Sequence, residues 1–311
     1  MLTNTKPLTN PSELPPQPRQ ILSAQALATL NQRSNWAGIA QFAGHLGLIA
    51  LSGYLWAVAP LGVALPALAI CGASLALMFC AMHECCHRTA FANPRLNDGA
   101  AWLAGLLSFY NSTFYRRYHK WHHRYTQIPG KDPELDDPKP VSLGDYLWQL
   151  SGIPWWIGKV RGHSQVALGQ LDGMYYLPES AHGEVVRSLR LQLLTYGAAI
   201  AVSTLLGHPE FLFLYWVLPL AVGQPLLRFV LLAEHTGCPN DANPLVNTRT
   251  TLTLWPLRWL MWNMPYHAEH HLYPSIPFQA LPAAHEQLKP YFERVDEGYV
   301  QVNRSIVADF G

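Results

Sequence analysis

The hydrophobic pattern of the chain divides into four long apolar runs separated by polar stretches. The runs cover about residues 36–58, 61–82, 189–206 and 211–233. A helix of ~20 residues crosses the hydrocarbon core of a bilayer, so each run is long enough to span a membrane. Short turns at Pro60 and Gly207 join the first run to the second and the third to the fourth. The pattern therefore predicts an all-α integral membrane protein with four transmembrane helices in two hairpins.

The rest of the chain is more polar and predicts one domain with a tail. Residues 1–20 contain five prolines and few apolar residues, which is typical of a disordered N-terminal segment. We interpret residues 21–311 as a single membrane domain that begins with a short amphipathic helix over residues 21–33. No basic segment leads directly into an apolar core with a cleavage site, so no cleavable signal peptide is expected. The sequence from Pro282 onward predicts polar helix and coil.

Two further segments are too short to cross a bilayer. Residues 100–110 are apolar, and residues 146–159 contain three tryptophans, whose side chains favour the headgroup level. We interpret both segments as interfacial or re-entrant helices. Residues 131–140 are acidic and rich in proline, which predicts a solvent-exposed loop.

Composition supports a membrane protein with a polar part. Half of the residues are apolar and only 13% are charged, about half the charged share that is usual in soluble domains. The mean hydropathy is close to zero, so we expect a helical cap outside the bilayer. A net charge of +1 gives no indication of nucleic-acid binding. The five cysteines do not have the even number or spacing of a disulfide framework.

Histidines carry the candidate chemistry, because eight of the fourteen fall into three short clusters. The clusters are His83 and His87; His119, His122 and His123; and His267, His270 and His271. Residues three and four apart share one face of a helix, so each cluster would aim its imidazoles in one direction. Neutral imidazole is a strong ligand of first-row metals, and eight exceed the needs of one ion. The clusters therefore predict a site for two metal ions, with His235, just past the fourth run, as a ninth ligand.

The distribution of positive charge predicts the orientation. The two short turns contain no lysine or arginine. By the positive-inside rule, both termini and all three histidine clusters face the cytoplasm, where the cap holds the metal site.

A zinc hydrolase usually combines two or three histidines with a carboxylate or water, whereas histidine-rich sites with open positions suit iron and dioxygen chemistry.

The three clusters resemble the histidine boxes H-x3-H, H-x2-HH and H-x2-HH of the membrane fatty acid desaturase superfamily. Its members include acyl-lipid desaturases, fatty acid hydroxylases, and carotenoid hydroxylases and ketolases. The resemblance covers residues 82–277 and includes the sequence around the third box, residues 263–274. It implies that the eight box histidines, with His235 as an isolated extra ligand, bind two iron ions.

The resemblance also implies an activity. With dioxygen as cosubstrate and electrons from an external donor, the irons would oxidise an unactivated C–H bond of a lipid from the bilayer. Desaturation of a fatty acyl chain is the first expectation. A hydroxylase or ketolase acting on acyl chains or carotenoids is the alternative, and a membrane protein that binds metal without catalysis is a remote one. No cytochrome b5 segment is recognisable in the sequence, so a separate ferredoxin-like or cytochrome b5-like donor is expected.

The chain departs from part of the family pattern. In acyl-CoA desaturases an asparagine four residues before the extra histidine holds a metal-bound water, whereas this chain has Leu231 at that position. Asn263, four residues before His267, is a candidate for a comparable outer-shell amide. The first box has three intervening residues, a spacing associated with acyl-lipid desaturases, hydroxylases and ketolases.

Three glutamates lie inside or beside the histidine clusters: Glu84, Glu234 and Glu269. Outer-shell carboxylates usually orient metal-bound imidazoles, so these are candidates for that role. The alternative for each is a solvated carboxylate or one that caps the backbone. The four histidines without cluster spacing are left out of the site: His163, His182, His208 and His285.

A few polar residues outside the histidine clusters are candidates for contacts with a partner protein, with lipid or between helices. Basic residues surround the second box and would either dock an acidic donor, contact lipid phosphates or fix the topology: Arg116, Arg117, Lys120 and Arg124. Arg228, late in the fourth run, indicates a lined cavity, a headgroup contact or simple snorkelling. Gln41 and His45 share a face of the first run and are expected to hydrogen-bond between helices rather than bind a ligand.

Overall fold

The computed structural model describes residues 20–310 and is mostly helical, as predicted. The helices are α1 (Ala24–Leu30), α2 (Asn35–Val58), α3 (Leu61–Cys86), α4 (Pro94–Ser108), α5 (Ser112–Tyr125), α6 (Leu143–Leu150), α7 (Ile153–Ala167), α8 (Glu179–Leu205), α9 (Leu218–His235), α10 (Trp255–Leu260), α11 (His267–Leu272), α12 (Leu281–Leu288) and α13 (Tyr299–Ala308). Two strands that the sequence did not predict, β1 (Thr250–Leu252) and β2 (Val295–Glu297), pair in parallel. The predicted tail, apart from Gln20, lies outside the described residues.

Four helices are long and apolar enough to cross a membrane: α2, α3, α8 and the helix Phe213–His235, which begins with a π-helical segment, Phe213–Val217, and continues as α9. Two differ from the predicted runs. Helix α3 continues to Cys86 and so carries His83 on its last turns. Helix α8 begins at Glu179 because Val185 and Leu189, in its polar first half, are buried in a small apolar cluster with residues of α7.

Helix α3 lies at the centre of the fold. In its most apolar window 67% of the residues are buried inside the protein, against 17% for α2 and for α8. It packs against α2, α4 and α9, while α8 packs mainly against α5 and α7. The approach to α9 is close because Gly72 lies against the carbonyl of Pro219, and Gly223 lies against the carbonyl of Gly72. Small residues allow such backbone contact between membrane helices.

The two polar residues of the first span form hydrogen bonds to other segments, as expected. Gln41 Nε2 donates to the Trp259 carbonyl at 2.7 Å. His45 accepts a hydrogen bond at Nδ1 from Trp262 Nε1 (3.3 Å), so its Nε2 is the donor to the Ser74 carbonyl at 3.0 Å. These bonds fix α2 to α3 and to the segment that leads into the third histidine cluster.

The interfacial helix predicted over residues 146–159 is wrong, because the chain forms two helices there. Gly152 adopts a left-handed conformation with φ of 73° between α6 and α7, and Pro154 lies in the first turn of α7. Glycine adopts this conformation without steric cost, and proline is tolerated where the helix starts. The break separates α7 from α6. In α7, the Trp155 ring lies beside Arg228 of α9, and the Trp156 ring lies beside Phe109, the C-cap residue of α4.

We expect Gly223→Ala to destabilise the protein by about 1–3 kcal/mol, because the added methyl group would collide with the Gly72 carbonyl between α9 and α3. The free energy of unfolding in mixed micelles measures the effect. Gly47→Ala in α2 is the matched control, since a methyl group there meets no atom within 4 Å and alanine favours helix. Equal stability of the two variants would contradict the close contact.

Candidate metal centre

Four helix ends deliver the predicted histidines to one place. His83 lies on the last turns of α3, and His87 is its C-cap residue. Helix α5 carries the second cluster, α11 carries the third, and His235 is the last residue of α9. The i, i+3 and i, i+4 spacing therefore acts as predicted, because each helix presents its rings from one face.

Ring nitrogens form two groups, and a third set, His119 and His122 with the Glu134 carboxylate, joins one to the other. In the first, the potential ligand atoms of five histidines lie within 4.8 Å of one another: His83, His87, His119, His123 and His270. In this group His123 Nε2 is 2.9 Å from His119 Nε2 and 3.0 Å from His270 Nε2. The second group contains His122, His235 and His271 by the same criterion. His267 joins it, with its Nε2 3.1 Å from the Nε2 atoms of both His235 and His271.

Hydrogen bonds at Nδ1 show that several Nε2 atoms carry lone pairs. His235 Nδ1 faces the Asn247 carbonyl (3.3 Å), which only accepts. His271 Nδ1 faces Thr126 Oγ1 (3.1 Å), whose own hydrogen goes to the His122 carbonyl. A neutral imidazole protonated at Nδ1 has only a lone pair at Nε2.

The facing lone pairs fit a bound cation. His235 and His271 both direct an Nε2 lone pair toward the second group, and His83 Nε2 and His87 Nε2 are buried without any hydrogen-bond partner in the described structure. Buried polar atoms normally have partners. A metal ion within each group would supply the missing partner for all of these nitrogens.

Burial keeps the rings neutral and available as ligands. It lowers the pKa of His87 to about 3, and it lowers the pKa of His119, His123 and His270 well below the usual value for histidine. Neighbouring histidines add to the effect because like charges repel. Neutral imidazole is the form that binds metals.

Comparison with known proteins agrees with this geometry. The sequence model of the family described as "Fatty acid desaturase" matches residues 54–303, which is most of the chain. The chain belongs to the fatty acid desaturase family.

Curated relatives of this desaturase-family chain are distant. The human protein named sphingolipid delta(4)-desaturase/C4-monooxygenase DES2 is 24% identical over 226 residues, covering 70% of this chain and 63% of the relative. The sn-1 oleoyl-lipid 12-desaturase of a Picosynechococcus strain is 22% identical over 266 residues, covering 82% and 61%. The dihydrorhizobitoxine desaturase of Bradyrhizobium elkanii is 26% identical over 241 residues, covering 72% and 65%. The chain thus matches less than two thirds of the length of each of these three.

Two carboxylates beside the second box escaped the sequence analysis. Asp132 is fully buried, and its Oδ1 accepts from His122 Nδ1 at 2.9 Å, while its Oδ2 accepts from the Gln127 backbone N–H. Glu134 Oε2 lies 3.6 Å from His122 Nε2. Burial opposes charge on His122, but Glu134 and Asp132 outweigh it and raise its pKa.

The solvent loop predicted over residues 131–140 is therefore wrong in its first part. Asp132 caps a short 3-10 helix, Pro133–Leu135, which turns the chain back onto α5. The Asp-Pro-Glu sequence is a helix-start signal. Together with its position ten residues after His122, that signal could have indicated the contact.

Glu234 lies on the ligand side of the second group. Its Oε2 is 3.5 Å from His267 Nε2, and its Oε1 is buried without a hydrogen-bond partner among the described residues. An outer-shell carboxylate would instead accept from a ring N–H that faces away from the metal. Glu234 thus faces the ring nitrogen that points into the group rather than the outer side of the ring.

The other three outer-shell candidates are directed elsewhere. Glu84 Oε1 accepts from the Phe278 backbone N–H at 3.0 Å, and Asn263 Nδ2 donates to the Phe278 carbonyl at 2.8 Å. Glu269 is fully buried and faces Thr250 Oγ1 and His285 Nδ1, both at 2.5 Å. These contacts fix the backbone on either side of α11.

The histidines that were left out of the site lie outside both nitrogen groups. His285, however, is buried and is the partner of Glu269 behind the third box. It lies on α12 with no second histidine three or four residues away, so its spacing does not indicate a metal ligand. Through its contact with Glu269 it stabilises the position of α11.

We expect Asp132→Asn to weaken metal binding about 10- to 100-fold, because the substitution removes the negative charge that orients His122. Titration of Fe²⁺-loaded protein with a chelator measures the effect. Asp137→Asn is the matched control, since Asp137 is an exposed carboxylate of the same loop. Identical chelator resistance in both variants would remove Asp132 from the site.

Proposed function

We propose that this desaturase-family protein desaturates a lipid acyl chain at a site for two iron ions, with dioxygen as cosubstrate. The observation that carries the proposal is the convergence of nine histidine rings at the ends of two apolar spans, α3 and α9, and on the two short helices α5 and α11. The number of nitrogen ligands exceeds what one ion accepts. Histidine-rich coordination with positions left for a substrate is suited to iron and dioxygen chemistry.

Each group would hold one ion. The first would be bound by His83, His87, His119, His123 and His270, and the second by His122, His235, His267 and His271. Glu134 and Glu234 lie close enough to the second group to complete its coordination. Reduced iron supplies, with dioxygen, an oxidant strong enough for an unactivated C–H bond.

The protein residues contribute orientation and exclusion of water. Asp132, Thr126 and the Asn247 carbonyl hold three rings of the second group through their Nδ1 atoms. Four side chains that are mostly apolar pack closely against His83, Glu84 and His270 and keep water from the first group: Cys80, Trp262, Met264 and Leu281.

A substrate of this kind would enter from the bilayer. The long helices expose large apolar side chains on their outer faces, as lipid-facing helices do: Leu51, Leu65, Ile70, Leu194 and Ile200 are among them. We infer that the four spans form two hairpins and that both termini and the metal centre face the cytoplasm. The lysine-free and arginine-free turns at Pro60 and Gly207 support this orientation.

An external protein would supply the electrons, and part of the basic surface near α5 is free to receive it. Arg116 pairs with Asp98, and Arg117 pairs with Glu184. Lys120 and Arg124 are exposed and form no ion pair among the described residues. An acidic ferredoxin-like or cytochrome b5-like donor would complement these two charges.

Hydroxylation is the second candidate, because the human relative is named both a desaturase and a C4-monooxygenase. The two outcomes share the first hydrogen abstraction and differ in the fate of the substrate radical. Loss of a second hydrogen gives an alkene, whereas transfer of oxygen gives an alcohol.

Expression in a host that supplies an electron donor, followed by mass spectrometry of total lipids, tests the activity. Desaturation is expected to give lipids lighter by two hydrogen atoms, and hydroxylation lipids heavier by one oxygen atom. An unchanged lipid pool in cells that accumulate iron-loaded protein would count against both.

We expect the purified protein to contain about two iron ions per chain and His270→Ala to abolish the lipid product, because His270 belongs to the five-nitrogen group. Metal analysis and circular dichroism should show lost iron with retained helix. His208→Ala is the control, since His208 is exposed in the turn before the fourth span. Retained turnover in His270→Ala would exclude this ring from the ligand set.

A further inference from the structure

A second polar cluster lies beside α7 and α9, apart from the histidines. We call it the donor cluster: Tyr110, Trp155, Lys159 and Arg228. The Tyr110 hydroxyl oxygen accepts from Trp155 Nε1 at 2.9 Å and from Arg228 Nη2 at 3.1 Å. Lys159 Nζ lies 3.7 Å from the centroid of the Tyr110 ring. Three hydrogen-bond donors thus meet around one aromatic ring.

The donor cluster lacks an acceptor. Neither Lys159 nor Arg228 forms an ion pair in the part of the chain that the structure describes, and Arg228 Nε is buried without a partner. The Tyr110 oxygen already receives two N–H groups, so its own hydrogen remains available. Burial, and then the charge of Arg228, lower the pKa of Lys159 to about 7, and the more distant charge of Asp137 opposes them only in part. Two half-buried cations without an ion-pair partner are costly in a protein interior.

Unpartnered polar groups continue on both helices. Gln224, one turn before Arg228 on α9, is fully buried, and neither its oxygen nor its nitrogen has a hydrogen-bond partner. Its side chain packs against Gly152, at the start of α7. His163, one turn after Lys159, is buried with Nδ1 unpartnered. The two helices therefore share a row of groups that are equipped to bind a polar ligand.

The donor cluster lies close to the metal centre. The Phe79 ring is 4.7 Å from the Tyr110 ring and 6.2 Å from the His83 ring, measured between centroids. On the other side, the Tyr115 ring lies 6.1 Å from Tyr110 and 4.9 Å from His119. One aromatic side chain, Phe79 or Tyr115, thus separates the donor cluster from the nearest histidine ring, and a ligand at the cluster would lie close to the metal centre.

We propose that the donor cluster binds the anionic end of the lipid substrate, a carboxylate or a phosphate ester, between Lys159 and Arg228. This inference rests on the proposed lipid oxidation for its identification of the ligand as substrate. An anion would accept hydrogen bonds from both cations and from the Tyr110 hydroxyl. Its charge would also give both cations an ion-pair partner.

Simple snorkelling of Arg228 toward water fits less well. The guanidinium is only partly exposed and donates inward, to Tyr110, while its Cζ lies 5.5 Å from the Trp155 ring centroid. A snorkelling arginine would extend its charged group away from the apolar interior. The observed direction is toward the histidines' aromatic neighbours.

Native mass spectrometry of the detergent-solubilised full chain tests the proposal. Three probes carry one oleyl or oleoyl chain each and differ in their polar end: oleate, methyl oleate and oleyl phosphate. We expect at least one of the two anions to bind about 10-fold or more tightly than methyl oleate, because a charge-assisted hydrogen bond is lost with the ester. Tighter binding of oleate would identify a carboxylate ligand, and tighter binding of oleyl phosphate a phosphate.

Substitutions locate the effect. Lys159→Gln and Arg228→Gln should each weaken anion binding about 10-fold or more and leave methyl oleate unchanged, while Lys159→Arg and Arg228→Lys should retain most of the preference. Arg161→Gln, which removes an exposed cation from the same helix, should have no effect. The glutamine variants should melt no lower than the unmodified chain, because an unpaired buried cation does not stabilise the fold.

Several results would overturn the proposal. They are equal binding of the ester and both anions, unchanged anion binding in both glutamine variants, or an equal loss in Arg161→Gln. Binding is measured without iron or an electron donor, so it is independent of turnover. A chain that binds the anion but oxidises no lipid would refute the proposed function alone, and a chain that oxidises lipid without anion preference would refute this inference alone.

Discussion

The metal centre depends on holding the ring nitrogens of neighbouring histidines close together. Four pairs of Nε2 atoms lie 2.9–3.1 Å apart: His119–His123, His123–His270, His235–His267 and His267–His271. Two nitrogen lone pairs that face each other at this distance repel unless a ring N–H or a cation lies between them. The fold must therefore hold the rings in place from outside, and the hydrogen bonds to Asp132, Thr126 and Asn247 do so.

Metal binding at such a site would couple distant parts of the chain. The rings come from α3, α5, α9 and α11. The first and the last of them, His83 and His271, are more than 180 residues apart in the sequence. A ligand that binds only the folded arrangement stabilises it by mass action. The parallel pair of β1 and β2 and the buried contact of Glu269 with His285 hold α11 in position from the opposite side.

Sequence patterns revealed the parts of the site that repeat at helical spacing. The four spans and the three histidine clusters follow from periodicity and length, because both properties are local. Asp132 and His285 were missed because their importance depends on a tertiary contact, with His122 and with Glu269, that no local pattern encodes. Gly152 was missed for another reason: an apolar, tryptophan-rich segment predicts a helix, and the break arises from one residue with positive φ.

Helix α9 connects the packing of the fold to both sites. The contact of Gly223 with Gly72 sets the position of α9 along α3. Arg228 belongs to the donor cluster, and His235, at the end of the helix, belongs to the second nitrogen group. Residues seven apart on a helix are about 10 Å apart along its axis, at 1.5 Å per residue. With an anion held at Arg228, the carbon next to the metal centre would thus lie a short run of methylene groups from the polar end. Any change that shifts α9 along α3 would move Arg228 and His235 together, while the five histidines of the first group, none of which lies on α9, would keep their places. The distance between the polar end and the attacked carbon therefore depends on the packing of α9 against α3.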